Sequence, residues 1–186
     1  TDRSQLLNCT VNSLKYNLGD GDDNAILINV QLNATTGTSK LKFGTGADIV
    51  TLSGVTAQHA LQADLDTASG TAANQFFLMN VTTPKCIKVN GGAGVDTISA
   101  DMVTAASIDL LAKKGADIVT AKAVTAPKLK VDAGAGNDQV NAQTLNVATS
   151  LTVDGGADTD VLNFVLSNST VPVGTTPKNF ETQNIT

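Results

Sequence analysis

Leu129-Lys130-Val131-Asp132-Ala133-Gly134-Ala135-Gly136-Asn137-Asp138-Gln139-Val140 is one rung of a ladder, and its neighbours in the chain are near-copies. Ile87-Lys88-Val89-Asn90-Gly91-Gly92-Ala93-Gly94-Val95-Asp96-Thr97-Ile98 precedes it, and Leu151-Thr152-Val153-Asp154-Gly155-Gly156-Ala157-Asp158-Thr159-Asp160-Val161-Leu162 follows it. A weaker copy lies between the first two: Ile108-Asp109-Leu110, then Lys113-Lys114-Gly115-Ala116-Asp117-Ile118-Val119. The aspartates that close the glycine stretches, Asp96, Asp117, Asp138 and Asp160, fall 21, 21 and 22 residues apart. A fixed spacing of this kind is a structural period.

Two degenerate rungs come earlier. Leu14-Lys15-Tyr16 is followed by Gly19-Asp20-Gly21-Asp22-Asp23, and Leu41-Lys42-Phe43 by Gly44-Thr45-Gly46-Ala47-Asp48. A second column repeats with the first. Seven residues after the marker aspartates stand Val30, Val55, Val103, Val124 and Leu145, and only the last rung, with Ser167, departs.

Within a rung, Leu129-Lys130-Val131 alternates apolar and polar residues as a half-buried strand does. The glycine stretch turns the chain, and a second strand such as Asp117-Ile118-Val119-Thr120 follows it. One coil of this size cannot bury its apolar side, so coils must stack about 4.8 Å apart. The prediction is an all-β chain, a right-handed parallel β-helix or β-roll with coils of about 21 residues and one short helical excursion, forming a single domain over 1–186. The excursion is expected at Ala57–Leu65, where Leu61 and Leu65 stand four apart among good helix formers. It lies within an insertion or irregular coil over 56–84, and Phe76-Phe77-Leu78-Met79 reads as a buried strand inside it.

Composition agrees with thin stacked coils. Hydrophobic residues make up 41% of the chain, which argues against disorder, and aromatics only 3%, which argues against a bulky core. The net charge of −5 points to cations as partners and away from nucleic acid. No apolar run is long enough to span a membrane. The absence of an initial Met reads as a processed product or an excised fragment, with 165–186 a terminal strand segment continuing into a larger protein.

Stacking would bring the marker carboxylates, with Asp132 and Asp154, into columns roughly 5 Å apart, where neighbours repel by about 1–3 kcal/mol. Ca²⁺ between turns would reverse that, since it accepts six to eight oxygens in irregular geometry and glycine turns offer carbonyls. The richest cluster is Asp132, Asp138, Asp154, Asp158 and Asp160 with Gly134, Gly136 and Gly156. Asp20, Asp22 and Asp23 with Asp48 come second, and Asp96 with Gly92 and Gly94 completes the candidate set. The Lys113-Lys114 turn is expected to hold no ion, its ammonium serving Asp96 or Asp138 instead.

Gly91-Gly92-Ala93-Gly94-Val95-Asp96-Thr97-Ile98-Ser99 resembles the nine-residue G-G-x-G-x-D-x-U-x signature of the RTX (haemolysin-type) calcium-binding repeats, and Ala133 to Asn141 departs from it only at the first glycine. The resemblance implies a β-roll of a secreted bacterial surface protein, with Ca²⁺ held by Asp and turn carbonyls. RTX repeats run in tandem every nine residues with turns on both sides; one glycine turn per coil here implies calcium along one edge. The closing Asn179-Phe180-Glu181-Thr182-Gln183-Asn184-Ile185-Thr186 resembles a strand found in RTX-like S-layer proteins, which favours an S-layer or adhesin fragment.

An enzyme is not expected. The one Arg (Arg3) and one Glu (Glu181) lie outside the coils, and His59 is the only histidine, read as solvated. The alternative is a carbohydrate-binding or carbohydrate-processing β-helix module. Expected partners are Ca²⁺, further copies or neighbouring domains of the same polypeptide, and cell-surface glycan. Cys9 and Cys86 are read either as a disulfide or as two small thiols.

Overall fold

The alternating stretches become strands, and every strand pairs in parallel with its counterpart one coil away. The computed structural model describes residues 1–65 and 71–186 and has no helix among them. A nine-stranded sheet runs Arg3–Leu7, Asn24–Ile28, Ile49–Ser53, Gln75–Met79, Thr97–Asp101, Ile118–Lys122, Gln139–Gln143, Val161–Val165, Thr182–Ile185. A seven-stranded sheet faces it, stacking Lys15–Asn17, Thr38–Lys42, Ala60–Asp64, Cys86–Asn90, Ser107–Leu111, Thr125–Ala135 and Asn146–Ala157. A short third wall begins as Thr10–Val11, Gln31–Leu32 and Thr56–Ala57 and continues as single bridges through Thr82 and Thr104 to Thr125. The chain is a parallel β-solenoid.

Its interior is a set of columns. In the nine-stranded sheet the second and fourth strand positions point inward, so Val50, Phe76, Ile98, Val119, Val140 and Leu162 form one buried column. Leu61, Ile87, Ile108, Leu129 and Leu151 form another on the seven-stranded sheet. Among the described residues register slips only between Ala126 and Lys128, at Pro127, which has no N–H to give to the ladder.

The corner after each of the first seven nine-sheet strands is left-handed, at Asn8, Asn29, Gly54, Asn80, Met102, Ala123 and Thr144, with φ between 48° and 63°. This corner aims the next side chain inward, which explains the second sequence column: Val30, Val55, Val103, Val124 and Leu145 are all fully buried.

The helix expected at Ala57–Leu65 is a correction. Ala60–Asp64 is a strand in register with Thr38–Lys42 and Cys86–Asn90. A spacing of four is even, so Leu61 and Leu65 share a face in a strand as well as in a helix, and with Ala63 they are buried. The stretch 56–84 thus carries Thr56–Ala57 in the third wall and two regular strands, Ala60–Asp64 and Gln75–Met79. Residues 66–70 lie outside the described residues.

Because each coil touches only its neighbours, a core deletion acts on one rung and the two beside it. Leu110 is fully buried between Val89 and Val131. Leu110→Ala is expected to cost about 2–5 kcal/mol in urea unfolding, through lost burial and the cavity left behind.

Candidate functional site

The marker residues form one buried column. Asp23, Asp48, Asn74, Asp96, Asp117, Asp138 and Asp160 are each at most 2% exposed. Alternation places them there: in Asp96-Thr97-Ile98-Ser99-Ala100 the aspartate shares a face with Ile98 and Ala100, which are fully buried.

Each carboxyl accepts a hydrogen bond from the marker amide of the preceding rung. Asp2 N donates to Asp23 Oδ1 at 2.5 Å, Asp23 N to Asp48 Oδ1 at 2.9 Å, and Asp48 N to Asn74 Oδ1 at 3.0 Å. Asn74 N donates to Asp96 Oδ1 at 3.0 Å, Asp96 N to Asp117 Oδ1 at 2.6 Å, and Asp117 N to Asp138 Oδ1 at 2.7 Å. Asp138 N reaches Asp160 Oδ1 at 2.8 Å and Asp160 N reaches Glu181 Oε2 at 2.6 Å. Turn amides that a strand ladder would leave unpaired are satisfied in this way, which is why a short acceptor side chain recurs at this position. The second oxygens of Asp23, Asp117, Asp138 and Asp160 are buried and accept no hydrogen bond. Asp96 Oδ2 accepts from Gly92 N inside its own turn, at 2.5 Å.

A buried carboxylate with one idle oxygen favours its neutral form. Desolvation pushes Asp117 up to about 7; the Asp96 amide opposes this, and the charges of Asp96 and Asp138 add to it. Asp138 is pushed up to about 6 by burial, against the amide of Asp117, with Asp160 and Asp158 adding repulsion. Burial also raises Asp160, against the amide of Asp138, with Glu181, Asp158 and Asp154 reinforcing it.

The other candidates stand elsewhere. Asp132 alternates with Lys130 on the outer face, where Lys130 Nζ pairs with it at 2.8 Å, and Asp154 lies beside it in register and accepts from Asn179 Nδ2 at 2.7 Å. The wall of the solenoid thus separates Asp132 and Asp154 from Asp138 and Asp160. Asp158 is exposed and left-handed, with φ 89°, where other rungs have Gly21, Gly46, Gly115 and Gly136. Asp20 accepts from Thr45 N at 3.3 Å and from its hydroxyl at 3.1 Å, and Asp22 accepts from Ala47 N at 2.9 Å. Among the described residues, no three His, Cys, Asp or Glu side chains are grouped as a metal centre requires.

The candidate glycines are placed by crowding. A Cβ on Gly94 would come within 2.0 Å of Ala72 O, on Gly134 within 2.0 Å of Lys113 O, and on Gly156 within 1.7 Å of Gly134 O. Gly92 gives its amide to Asp96 and its carbonyl to Lys114 N at 3.3 Å. Lys113 reaches a carbonyl rather than the carboxylates expected for it: its Nζ donates to Gly91 O at 2.6 Å.

His59 also differs from expectation. It is buried, with Nδ1 donating to Ala34 O at 2.8 Å, which leaves Nε2 to accept from Ser39 Oγ at 2.6 Å, while Leu14 N donates to Ser39 Oγ at 2.9 Å. Both ring nitrogens and the hydroxyl are satisfied inside the coil, which makes this a structural plug. Cys9 and Cys86 are free thiols.

Three rungs escaped the sequence pattern, two because their markers, Asn74 and Glu181, are not aspartates and one because no glycine stretch precedes Asp2. Asn74 has Val81 seven residues on, Asp2 stands 21 residues before Asp23, and Glu181 stands 21 after Asp160. The spacing is the signal that could have found all three.

No protein-family model, curated protein or solved structure matches the chain. No helix among the described residues is long and apolar enough to cross a membrane.

Proposed function

We propose that the chain is a stiff structural module of a secreted bacterial surface protein, of the lattice or adhesin kind, and that it takes Ca²⁺ along its turn edge when its buried carboxyls ionise. One observation carries the reading: the column of marker side chains is unbroken from Asp23 to Glu181, and each member is committed to holding one rung on the next. A rod is built by such repetition, and the side chains that a catalyst would need are occupied in it.

The calcium part rests on the idle buried oxygens of Asp138 and Asp160, both close enough to Asp158 to feel its charge. These oxygens fit a hard cation, with turn carbonyls and water completing its shell. Bound there, Ca²⁺ would supply positive charge to carboxylates that otherwise keep a proton. The two compete for the same oxygens, so the response depends on pH.

At about pH 8, EDTA is expected to lower the thermal midpoint and added Ca²⁺ to restore it, with a much smaller response near pH 5. Asp138→Ala and Asp160→Ala are expected to weaken Ca²⁺ binding in calorimetric titration more than Asp117→Ala. A midpoint indifferent to both reagents at both pH values would remove calcium from the reading.

A further inference from the structure

The outer face of the seven-stranded sheet divides its charges unevenly. Its middle column runs Lys15, Lys40, Gln62, Lys88, Asp109 and Lys130, one residue per rung. In the later rungs the signs alternate, Lys88 beside Asp109 beside Lys130, and Lys130 Nζ also pairs with Asp132 at 2.8 Å. In the earlier rungs they do not. Lys15 and Lys40 are direct register partners, and Lys42 stands on the same face two residues beyond Lys40. Like charges opposite each other on a sheet face repel, so this arrangement costs stability.

The one carboxylate on this part of the face does not offset the lysines. Asp64 is the register partner of Lys42, but Asn90 Nδ2 donates to its Oδ1 and Gln62 Nε2 donates to its Oδ2 at 2.9 Å. Amides thus take both oxygens. Among the described residues, Lys15, Lys40, Lys42 and Lys88 make neither an ion pair nor a side-chain hydrogen bond. In a chain of net charge −5, unneutralised ammonium groups are gathered on one strip.

We propose that this strip binds an acidic polysaccharide, a polyuronate laid along the solenoid axis across the rungs. Rungs repeat about every 4.8 Å, so Lys15, Lys40 and Lys88 present their charges in a line roughly 14 Å long, with Lys42 flanking it. Such a line suits a thin polymer that carries one carboxylate per sugar. Asn17 and Thr38 point outward from the same strands, make no side-chain hydrogen bond among the described residues, and are placed to meet sugar hydroxyls.

Other polyanions match the face less well. A flat anionic membrane would also meet the later rungs, where Asp109, Asp132 and Asp154 would be repelled. Single-stranded nucleic acid is held by aromatic side chains on which bases stack. The strip has none, because Tyr16 turns inward with its register partner Leu41, and its hydroxyl accepts from Ser4 Oγ at 2.6 Å.

This goes beyond the structural reading above and needs no Ca²⁺. Calorimetric titration of the 186-residue chain with an oligogalacturonate, at pH 7 in EDTA and low salt, tests it. Binding is expected, with loss at high salt through screening. It is expected to be absent with the fully methyl-esterified oligosaccharide, which keeps the sugars and removes the charge. Lys40→Gln is expected to weaken binding about fivefold, and Lys15→Gln combined with Lys40→Gln about 25-fold. Lys122→Gln makes the same change of charge on the opposite sheet, where Lys122 pairs with Asp101 at 3.2 Å, and is expected to leave the affinity unchanged. Lys40→Gln removes repulsion, so it is expected to melt no lower than the parent, which separates lost binding from lost folding. No binding, equal binding of the ester, or equal losses in Lys40→Gln and Lys122→Gln would each overturn the proposal. Binding of single-stranded DNA or phosphatidylserine vesicles at the same lysines, as tight as that of the oligogalacturonate, would overturn it too. Failure of the calcium melting test leaves it untouched.

Discussion

Between about pH 4 and pH 8 the thermal midpoint, measured in EDTA, is expected to fall, and Asp117→Asn is expected to remove a large part of that fall. An unfolded aspartate titrates near 3.9, whereas burial holds Asp117 up to about 7 and Asp138 up to about 6. In that window the folded state binds more protons than the unfolded state. The stability it gains is fully present below the unfolded pKa and is lost as the pH rises through the folded values. For Asp117, a shift of roughly three units corresponds to about 4 kcal/mol by pH 8.

Asn74 shows why the amide substitution is tolerated. It occupies the same column fully buried, accepts the Asp48 amide at 3.0 Å, and its own Nδ2 donates to Asp96 Oδ1 at 3.0 Å. Asn at position 117 keeps the acceptor for the Asp96 amide and never ionises. It is therefore expected to be near neutral at pH 4 and stabilising at pH 8. Asp117→Ala should instead destabilise at both pH values, by about 1–3 kcal/mol for the abandoned amide alone. A midpoint that rises with pH over this range would mean that the column is held as carboxylates.

Gly136→Ala is expected to be among the most damaging small substitutions in the chain, costing roughly 3–5 kcal/mol in urea unfolding. Its φ is 129°, and an added Cβ would lie 1.9 Å from Gly115 O in the turn beneath. Gly37→Ala is the matched control. Gly37 also has positive φ, 97°, but a Cβ there meets nothing within 4 Å, so only backbone strain of about 1–2 kcal/mol remains. The difference between the two variants isolates the close approach of stacked turns. That approach accounts for Gly134, Gly136 and Gly156 whether or not an ion is bound.

The period made the solenoid legible, because coils that repeat can bury their apolar columns only by stacking. Val30, Val55, Val103, Val124 and Leu145 stand out as a column for the same reason, whereas the left-handed corner that aims them inward does not follow from the period alone. Its trace is there in Asn8, Asn29, Gly54 and Asn80, residue types that tolerate positive φ. The reading of Ala57–Leu65 failed because an interval of four fits both periods, and Ala63 between the two leucines was the residue that decided for a strand.

The orientation of the acidic residues was the larger loss. Gly-x-Asp in a turn suggests a solvent-facing ligand, but alternation along Asp138-Gln139-Val140 puts Asp138 on the side of Val140, which is fully buried. The same count along Leu129-Lys130-Val131-Asp132 puts Asp132 outside. Proximity in sequence thus joined residues that the wall of the solenoid separates. Pairing between rungs, by contrast, carries no sequence mark beyond the period, so the amide-to-carboxyl ladder is a property of the stacked coils alone. His59 illustrates the same limit, since its partners Ala34 and Ser39 belong to the preceding rung.

The central claim is that the marker carboxyls are turned inward to hold the amides of the rungs before them. Amide hydrogen exchange at Asp96, Asp117 and Asp138 tests it most directly. The expected result is protection comparable to that of the strand amides at Ile98, Val119 and Val140, although each marker amide lies in a turn. Exchange at the rate of an unprotected turn amide would contradict it, and would place the carboxylates outside the coil.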